Sequence, residues 1–114
     1  MARVLIVEDN ADALALSKLI FERHGHSVAA ASSAARAQEL FQADPPEAVV
    51  MDLRLPDAED GLALIREFRA RSPQVRIIVV AGWLSDLEGR NESAMVDLAV
   101  QKPVRSEVLL RAIA

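Results

Sequence analysis

Four charged residues of this chain are of the types that hold a divalent cation and transfer a phosphoryl group. Glu8 and Asp9 are adjacent near the start of the chain, Asp52 lies near its middle, and Lys102 lies near its end. Carboxylate oxygens are the hard ligands that Mg²⁺ prefers, and a carboxylate can act as a nucleophile toward phosphorus. A lysine beside them supplies a compact positive charge for a phosphoryl oxygen. These residue types therefore indicate aspartyl-phosphate chemistry, provided that the fold brings them together.

Each of these residues follows a short apolar run of the kind that forms buried β-strands. The five runs cover residues 4–7, 27–30, 48–51, 77–80 and 98–100, of which the second and fifth are the weakest. Continuous apolar runs indicate strands that are covered on both faces, as in parallel sheets. Glu8 and Asp9 follow the first run, Asp52 follows the third, and Lys102 comes soon after the fifth.

Amphipathic segments separate the runs and predict five helices. They cover residues 11–24, a stretch between Ser32 or Ser33 and Pro45, and residues 61–71, 83–96 and 104–114. Asp9 or Asn10 can cap the first helix, Gly25 can end it, and Ser106 is a candidate cap for the last. The segment 83–96 is the weakest helix candidate because Gly89 and Asn91 interrupt it.

Five β-α units in succession predict an α/β fold with a doubly wound parallel sheet and helices on both faces. In the flavodoxin-like strand order 2-1-3-4-5, the first and third strands are neighbours and ligands bind at their carboxyl ends. Glu8, Asp9 and Asp52 then converge at one edge of the sheet. Because like charges at short range repel unless a cation offsets them, this arrangement predicts a Mg²⁺ site.

Length, charge and composition indicate the size of the domain and argue against several classes of protein. A chain of 114 residues suits a single domain spanning 1–114, and its net charge of −4 argues against direct binding of nucleic acid. It has no cysteine for a disulfide or a thiolate metal site, and its apolar runs are too short to span a membrane. A cytoplasmic protein is therefore expected.

Five motifs give the chain a resemblance to a known family: VLIVEDN at 4–10, VVMDLRLP at 49–56, DG at 60–61, IIVVAG at 77–82 and QKP at 101–103. Over its whole length the sequence resembles a response-regulator receiver domain of the CheY-like superfamily, the phosphoacceptor module of two-component signal transduction. The resemblance implies that a histidine kinase or a histidine phosphotransfer protein phosphorylates Asp52. It implies a signalling domain that catalyses only its own phosphorylation and dephosphorylation, rather than an enzyme acting on other substrates.

The resemblance also assigns roles to individual residues. It implies that Mg²⁺ is bound directly by Asp9 and Asp52, through water by Glu8, and by the backbone carbonyl of Arg54. Lys102 would pair with the phosphoryl group, and the bond from Lys102 to Pro103 would be cis, which X-Pro bonds adopt at modest cost. The backbone N–H of Gly82 would donate to the phosphoryl group.

The sequence departs from the family pattern at three positions. Ala81 stands where the family usually has a threonine or serine whose hydroxyl binds the phosphoryl group, and Ala99 stands where an aromatic residue is usual. The resemblance implies that these two positions form the family's usual switch, so the sequence leaves open how this domain reports phosphorylation. Gly61 lies nine residues after Asp52, one more than the usual spacing, so the intervening loop has one extra residue.

Three functional hypotheses remain open from the sequence. A phosphoacceptor receiver is favoured by Asp52 and its charged neighbours, whereas a pseudo-receiver that interacts without phosphate is favoured by Ala81 and Ala99. A Mg²⁺-dependent phosphohydrolase would need a general acid two residues after the nucleophile, where Arg54 stands. The sequence does not show whether an output domain follows residue 114 or a separate protein receives the signal. Trp83 could cover the phosphoryl pocket or pack on the fourth helix, and Arg54 could point into the cleft or into solvent.

Overall fold

Five parallel strands form the centre of the computed structural model, which describes all 114 residues. The strands are β1 (Arg3–Val7), β2 (Ser27–Ala31), β3 (Ala48–Met51), β4 (Arg76–Ala81) and β5 (Leu98–Gln101). They lie in the order β2-β1-β3-β4-β5, and every neighbouring pair is parallel. The predicted fold class and strand order are therefore confirmed.

Four α-helices connect the strands or follow them: α1 (Ala11–Arg23), α2 (Ala34–Ala43), α3 (Ala58–Arg71) and α4 (Ser106–Ala112). Asn10 caps α1 by accepting a 2.9 Å hydrogen bond from the Ala13 N–H. Ser33 caps α2, since its hydroxyl oxygen accepts from the Arg36 N–H at 3.1 Å. Such side-chain acceptors satisfy N–H groups that have no partner in a helix's first turn.

Two predicted helix starts are wrong. The third helix begins at Ala58 rather than at Gly61, because the Asp60 carboxylate accepts a 3.0 Å hydrogen bond from the Asp57 N–H and supports an earlier first turn. The last helix begins at Ser106 rather than at Val104, so Ser106 is its first residue and not its cap. Arg105 occupies the capping position, and its side chain makes no capping hydrogen bond.

The fourth predicted helix is absent. Two short 3₁₀ turns, Leu84–Asp86 and Asn91–Met95, replace it. Gly89 lies between them with a φ of +72°, a left-handed conformation that interrupts a helix and that glycine adopts without strain. Residues 83–96, called here the 83–96 segment, therefore connect β4 to β5 without an α-helix.

Apolar side chains cover both faces of the sheet. On one face, an 18-residue core cluster joins the strands to α2 and α3, and Phe41 stacks on Phe68 with ring centroids 4.2 Å apart. On the other face, nine residues pack the strands against α1 and α4 through Phe21, Leu109 and Ile113. No helix of the chain is long and apolar enough to cross a membrane.

Candidate phosphoacceptor and metal site

The strand register brings the charged residues of the candidate site to one edge of the sheet. Val7 pairs with Met51 at the carboxyl ends of β1 and β3. Glu8 and Asp52 are the next residues after these two strands, so they lie next to each other at the edge of the sheet. The Asp52 N–H extends this pairing by donating to the Val7 carbonyl oxygen at 3.1 Å. Beyond β5, the Lys102 N–H donates to the Ala81 carbonyl oxygen at 2.8 Å, which places the lysine at the same edge.

Glu8, Asp9 and Asp52 form an acidic cluster. One carboxylate oxygen from each residue lies within 4.8 Å of the others. Glu8 and Asp52 are half-buried, and Asp9 is exposed. Hard oxygen donors so close together, in a cluster open to solvent on one side, fit a small divalent cation that keeps part of its water shell. The residues present therefore fit the predicted Mg²⁺ site.

Lys102 bridges two members of the acidic cluster. Its ammonium donates to Asp52 Oδ2 at 2.7 Å and to Glu8 Oε1 at 2.8 Å. Partial burial opposes the charged form of the lysine, but the hydrogen bonds to Asp52 and Glu8 outweigh it and raise the pKa of Lys102. The bond from Lys102 to Pro103 is cis, in agreement with the sequence prediction.

The Asp52 carboxylate is oriented by its own loop. Its Oδ1 accepts a 2.7 Å hydrogen bond from the Leu53 N–H, and the Arg54 N–H lies 3.4 Å from the same oxygen. Since Lys102 holds Oδ2, the carboxylate is fixed at both ends. Such anchoring holds a nucleophile in one orientation and reduces the entropy lost when it reacts.

The loop that follows Asp52 is tied to the start of α3. The Gly61 N–H donates to the Leu53 carbonyl oxygen at 3.0 Å, and the side chains of Leu53 and Leu55 are buried. Since α3 begins at Ala58, Gly61 makes this contact from within the first turn of the helix. Residues 53–57 are called here the acceptor loop.

Arg54 points neither into the cleft nor into open solvent. Its guanidinium donates to Asp86 at 2.9 and 3.3 Å and stacks over the Trp83 ring at 4.1 Å. The hydrogen bond to Asp86 raises the pKa of Arg54 and lowers that of Asp86. Trp83 remains 58% exposed, and because the helix predicted over 83–96 is absent, Trp83 cannot pack on it. The sequence contained no motif that would have identified Asp86 as the partner.

Ala81 and Ala99, the positions where the family pattern predicts a switch, have only small side chains. Ala81 is buried at the end of β4, and the partly buried Ala99 packs against the same core cluster from β5. A Cβ added at the next residue, Gly82, would meet no atom within 4 Å, so the backbone there is open to an approaching ligand. The family's usual hydroxyl and aromatic ring have no replacement at these positions.

Arginines of α3 hold the 83–96 segment in place. Arg66 forms an ion pair with Glu92, the one buried charged residue, and this hydrogen bond lowers the pKa of Glu92. Arg69 donates to the Met95 carbonyl oxygen at 2.7 and 3.0 Å. The 83–96 segment is thus held by side-chain contacts with α3 rather than by the backbone hydrogen bonds of an α-helix. The burial of Glu92 could not be predicted from the sequence, because nothing in its neighbourhood marks it as buried.

The chain belongs to the response regulator receiver domain family, whose family model matches residues 4–114. It is 36% identical over 113 residues to the virulence transcriptional regulatory protein PhoP of Salmonella typhimurium. That match covers 96% of this chain and 49% of PhoP, so the chain spans about half the length of the curated relatives it matches.

Two solved structures extend the comparison. A CheY-like receiver domain from Methylobacillus flagellatus has a TM-score of 0.85 and 29% identity, covering 100% of this chain and 99% of that one. A response regulator from Burkholderia pseudomallei, solved with a phosphorylated aspartic acid, calcium ion and citrate, has a TM-score of 0.87 and 26% identity. The match covers 100% of this chain and 67% of that protein.

Proposed function

We propose that this receiver domain accepts a phosphoryl group on Asp52 from the phosphohistidine of a histidine kinase or a histidine phosphotransfer protein. The single observation that carries the proposal is the placement of Asp52 beside the carboxylates of Glu8 and Asp9 and 2.7 Å from the Lys102 ammonium. The Burkholderia pseudomallei relative, which contains a phosphorylated aspartic acid, supports the same chemistry here.

In the proposed reaction an Asp52 carboxylate oxygen forms a bond to phosphorus as the bond from phosphorus to the donor imidazole nitrogen breaks. The imidazole takes the electron pair and then a proton from solvent. Lys102, already 2.7 Å from Asp52, would follow the transferred group and pair with its oxygens. The open backbone N–H of Gly82 would supply a further donor.

Mg²⁺ is the cofactor that the acidic cluster fits. Asp9, Asp52 and the backbone carbonyl of Arg54 would bind it directly, and Glu8 would bind it through water. When bound, it supplies the positive charge that offsets the carboxylates and the charge of the transferring group. Asp9 makes no hydrogen bond to Lys102, whereas Glu8 and Asp52 each accept one, so the Asp9 carboxylate is the freest of the three to bind a metal ion.

The two alternative hypotheses have less support. A phosphohydrolase would need a proton donor at position 54, but Arg54 is paired with Asp86 and keeps its proton. A pseudo-receiver is favoured by Ala81 and Ala99, but such a module has no need to keep the lysine and carboxylates of the site together. We therefore infer a signalling domain whose output is an attached domain or a downstream protein, since PhoP is about twice as long as this chain.

Intact mass spectrometry after incubation with Mg²⁺ and a small phosphodonor, such as phosphoramidate, tests the proposal. The wild type should gain one phosphoryl group and Asp52→Asn none. Asp44→Asn, which removes a carboxylate whose side chain is 80% exposed and outside the site, is the matched control and should label like the wild type. No labelling of the wild type would favour the pseudo-receiver, and release of many equivalents of phosphate would favour the hydrolase.

A further inference from the structure

We propose that Arg54 is a phosphoryl-binding residue held away from the site until Asp52 is phosphorylated. Its guanidinium would then leave Asp86 and Trp83, bind the phosphoryl oxygens, and so release the start of the 83–96 segment. The inference rests on the proposed phosphorylation of Asp52, and it names a residue that couples that event to a change elsewhere in the domain.

The starting position of Arg54 makes the exchange geometrically simple. Its backbone N–H lies 3.4 Å from Asp52 Oδ1, so the side chain begins at the rim of the site. The negative charge of Asp52 also contributes to the raised pKa of Arg54, which means that the guanidinium is within electrostatic reach of the acceptor. The Arg54 side chain is 45% exposed, so a change of rotamer meets little packed structure.

Charge provides the driving force. With Mg²⁺ bound, the divalent cation and Lys102 face two carboxylates and a phosphoryl group that has a charge of nearly −2 at neutral pH. About one negative charge then remains without a partner. A planar guanidinium can form two parallel hydrogen bonds with a carboxylate, as it does here with Asp86, or with phosphoryl oxygens. The phosphoryl group has the larger negative charge of the two. Phosphorylation should therefore make Asp86 the weaker of two competing partners.

The same exchange would supply the coupling that Ala81 and Ala99 lack. A ligand shifts a conformational equilibrium only through contacts that differ between the two states. The contacts of Arg54 with Asp86 and Trp83 join the acceptor loop directly to the first 3₁₀ turn. Their loss would free residues near 83–87, while Arg66 and Arg69 still hold the far end of the segment.

Fluorescence of Trp83, the only tryptophan, measures the exchange directly. Mg²⁺ with beryllofluoride, a phosphoryl mimic, should change the Trp83 emission of the wild type, because the guanidinium leaves the ring. In Arg54→Gln, which has no guanidinium to lose, the mimic should bind without that change. Intact-mass labelling of Asp52 with phosphoramidate is measured in both proteins, so a failure of the proposed function is distinguished from a failure of this inference.

A double-mutant cycle measures the competition between Asp86 and the phosphoryl mimic. Asp86→Asn should tighten beryllofluoride binding by up to about fivefold, the effect expected when a partly exposed ion pair no longer competes. The same substitution in the Arg54→Gln background should have no effect. Glu88→Gln is the matched control, since it removes a nearby exposed carboxylate that makes no ion pair. Equal effects of Asp86→Asn in both backgrounds, or an equal Trp83 response in Arg54→Gln, would overturn the inference.

Discussion

Gly61 lies so close to the backbone of Leu53 that a Cβ at position 61 would stand 2.2 Å from the Leu53 carbonyl oxygen. Leu53 is the residue whose N–H holds the Asp52 carboxylate at 2.7 Å. The first turn of α3 is therefore in direct contact with the backbone that orients the candidate acceptor. Neither partner of this contact is a flexible side chain that could move aside.

Gly61→Ala should destabilise the protein by about 1–3 kcal/mol or more, because overpacking against a rigid backbone forces the backbone to shift. The displacement should also slow the labelling of Asp52 by phosphoramidate. Urea unfolding and labelling rates measure the two effects. Gly82→Ala is the control for stability, since a Cβ there meets no atom within 4 Å. If both alanine variants were as stable as the wild type, the close contact would be of no consequence.

Mg²⁺ should stabilise the folded protein by about 1.4 kcal/mol at a concentration about ten times its Kd, because it binds a site that the unfolded chain lacks. Asp9→Asn should weaken this effect by removing one negative ligand. Without the metal, the same variant should be more stable than the wild type, since one repelling charge of the acidic cluster is gone. Thermal melts with and without Mg²⁺ measure both changes.

Asp12→Asn provides the matched control for Asp9, because Asp12 is an acidic residue in the first turn of α1 and lies outside the acidic cluster. Its response to Mg²⁺ should equal that of the wild type. If Mg²⁺ stabilised Asp9→Asn as much as the wild type, Asp9 would not be a ligand of the metal.

Lys102 should contribute stability at neutral pH that is lost at alkaline pH. Because folding raises the pKa of Lys102, its contribution is complete below the unfolded value of about 10.4 and is lost as pH rises through the higher folded value. The difference in unfolding free energy between wild type and Lys102→Gln, measured without metal, should stay constant up to about pH 10 and shrink above it.

Few other side chains of this protein titrate in the same alkaline range as Lys102. The chain has no tyrosine and no cysteine, and Lys18 is the only other lysine. Lys18→Gln removes an exposed pair with Glu22 and serves as the control. If the contribution of Lys102 had already disappeared at pH 8, its ion pairs with the acidic cluster would not account for it.

Ala81→Thr should strengthen the structural response to phosphorylation, because its hydroxyl can donate to the phosphoryl group. With Mg²⁺ and beryllofluoride, backbone NMR shifts of the wild type should be largest in the acceptor loop and the 83–96 segment. In Ala81→Thr they should extend into β5 and α4. Ala81→Val adds the same bulk without a donor and should behave like the wild type. Large shifts through β5 and α4 of the wild type, no bigger in Ala81→Thr, would contradict this prediction.

The sheet and the acidic cluster could be predicted because they depend on short-range patterns and on topology. The apolar run at 48–51 is buried at every position, as a central parallel strand requires. Once β1 and β3 are neighbours, the positions of Glu8 and Asp52 follow from the ends of the strands. Lys102 was a candidate because it follows the fifth apolar run. The resemblance to receiver domains added its role as the partner of the phosphoryl group.

The 83–96 segment could not be predicted in the same way. Its conformation depends on arginines far away in sequence, such as Arg66 with Glu92 and Arg54 with Asp86, which lie 26 and 32 residues apart. Charged residues of this kind normally indicate a solvated surface, so the pattern gave no reason to pair them. The early start of α3 was missed for a related reason, since the hydrogen bond from Asp57 to Asp60 is a capping contact and adds nothing to the apolar periodicity.

The arginine contacts of the 83–96 segment also make the domain sensitive to ionic strength in one place. Exposed ion pairs weaken as salt rises and the Debye length falls from about 10 Å at 0.1 M to about 3 Å at 1 M, whereas apolar packing in the sheet does not. The Arg54–Asp86 pair is the more exposed, and Glu92 is buried. In concentrated salt, amide exchange should therefore accelerate first near residues 83–87, later near 91–95, and least in the central strands.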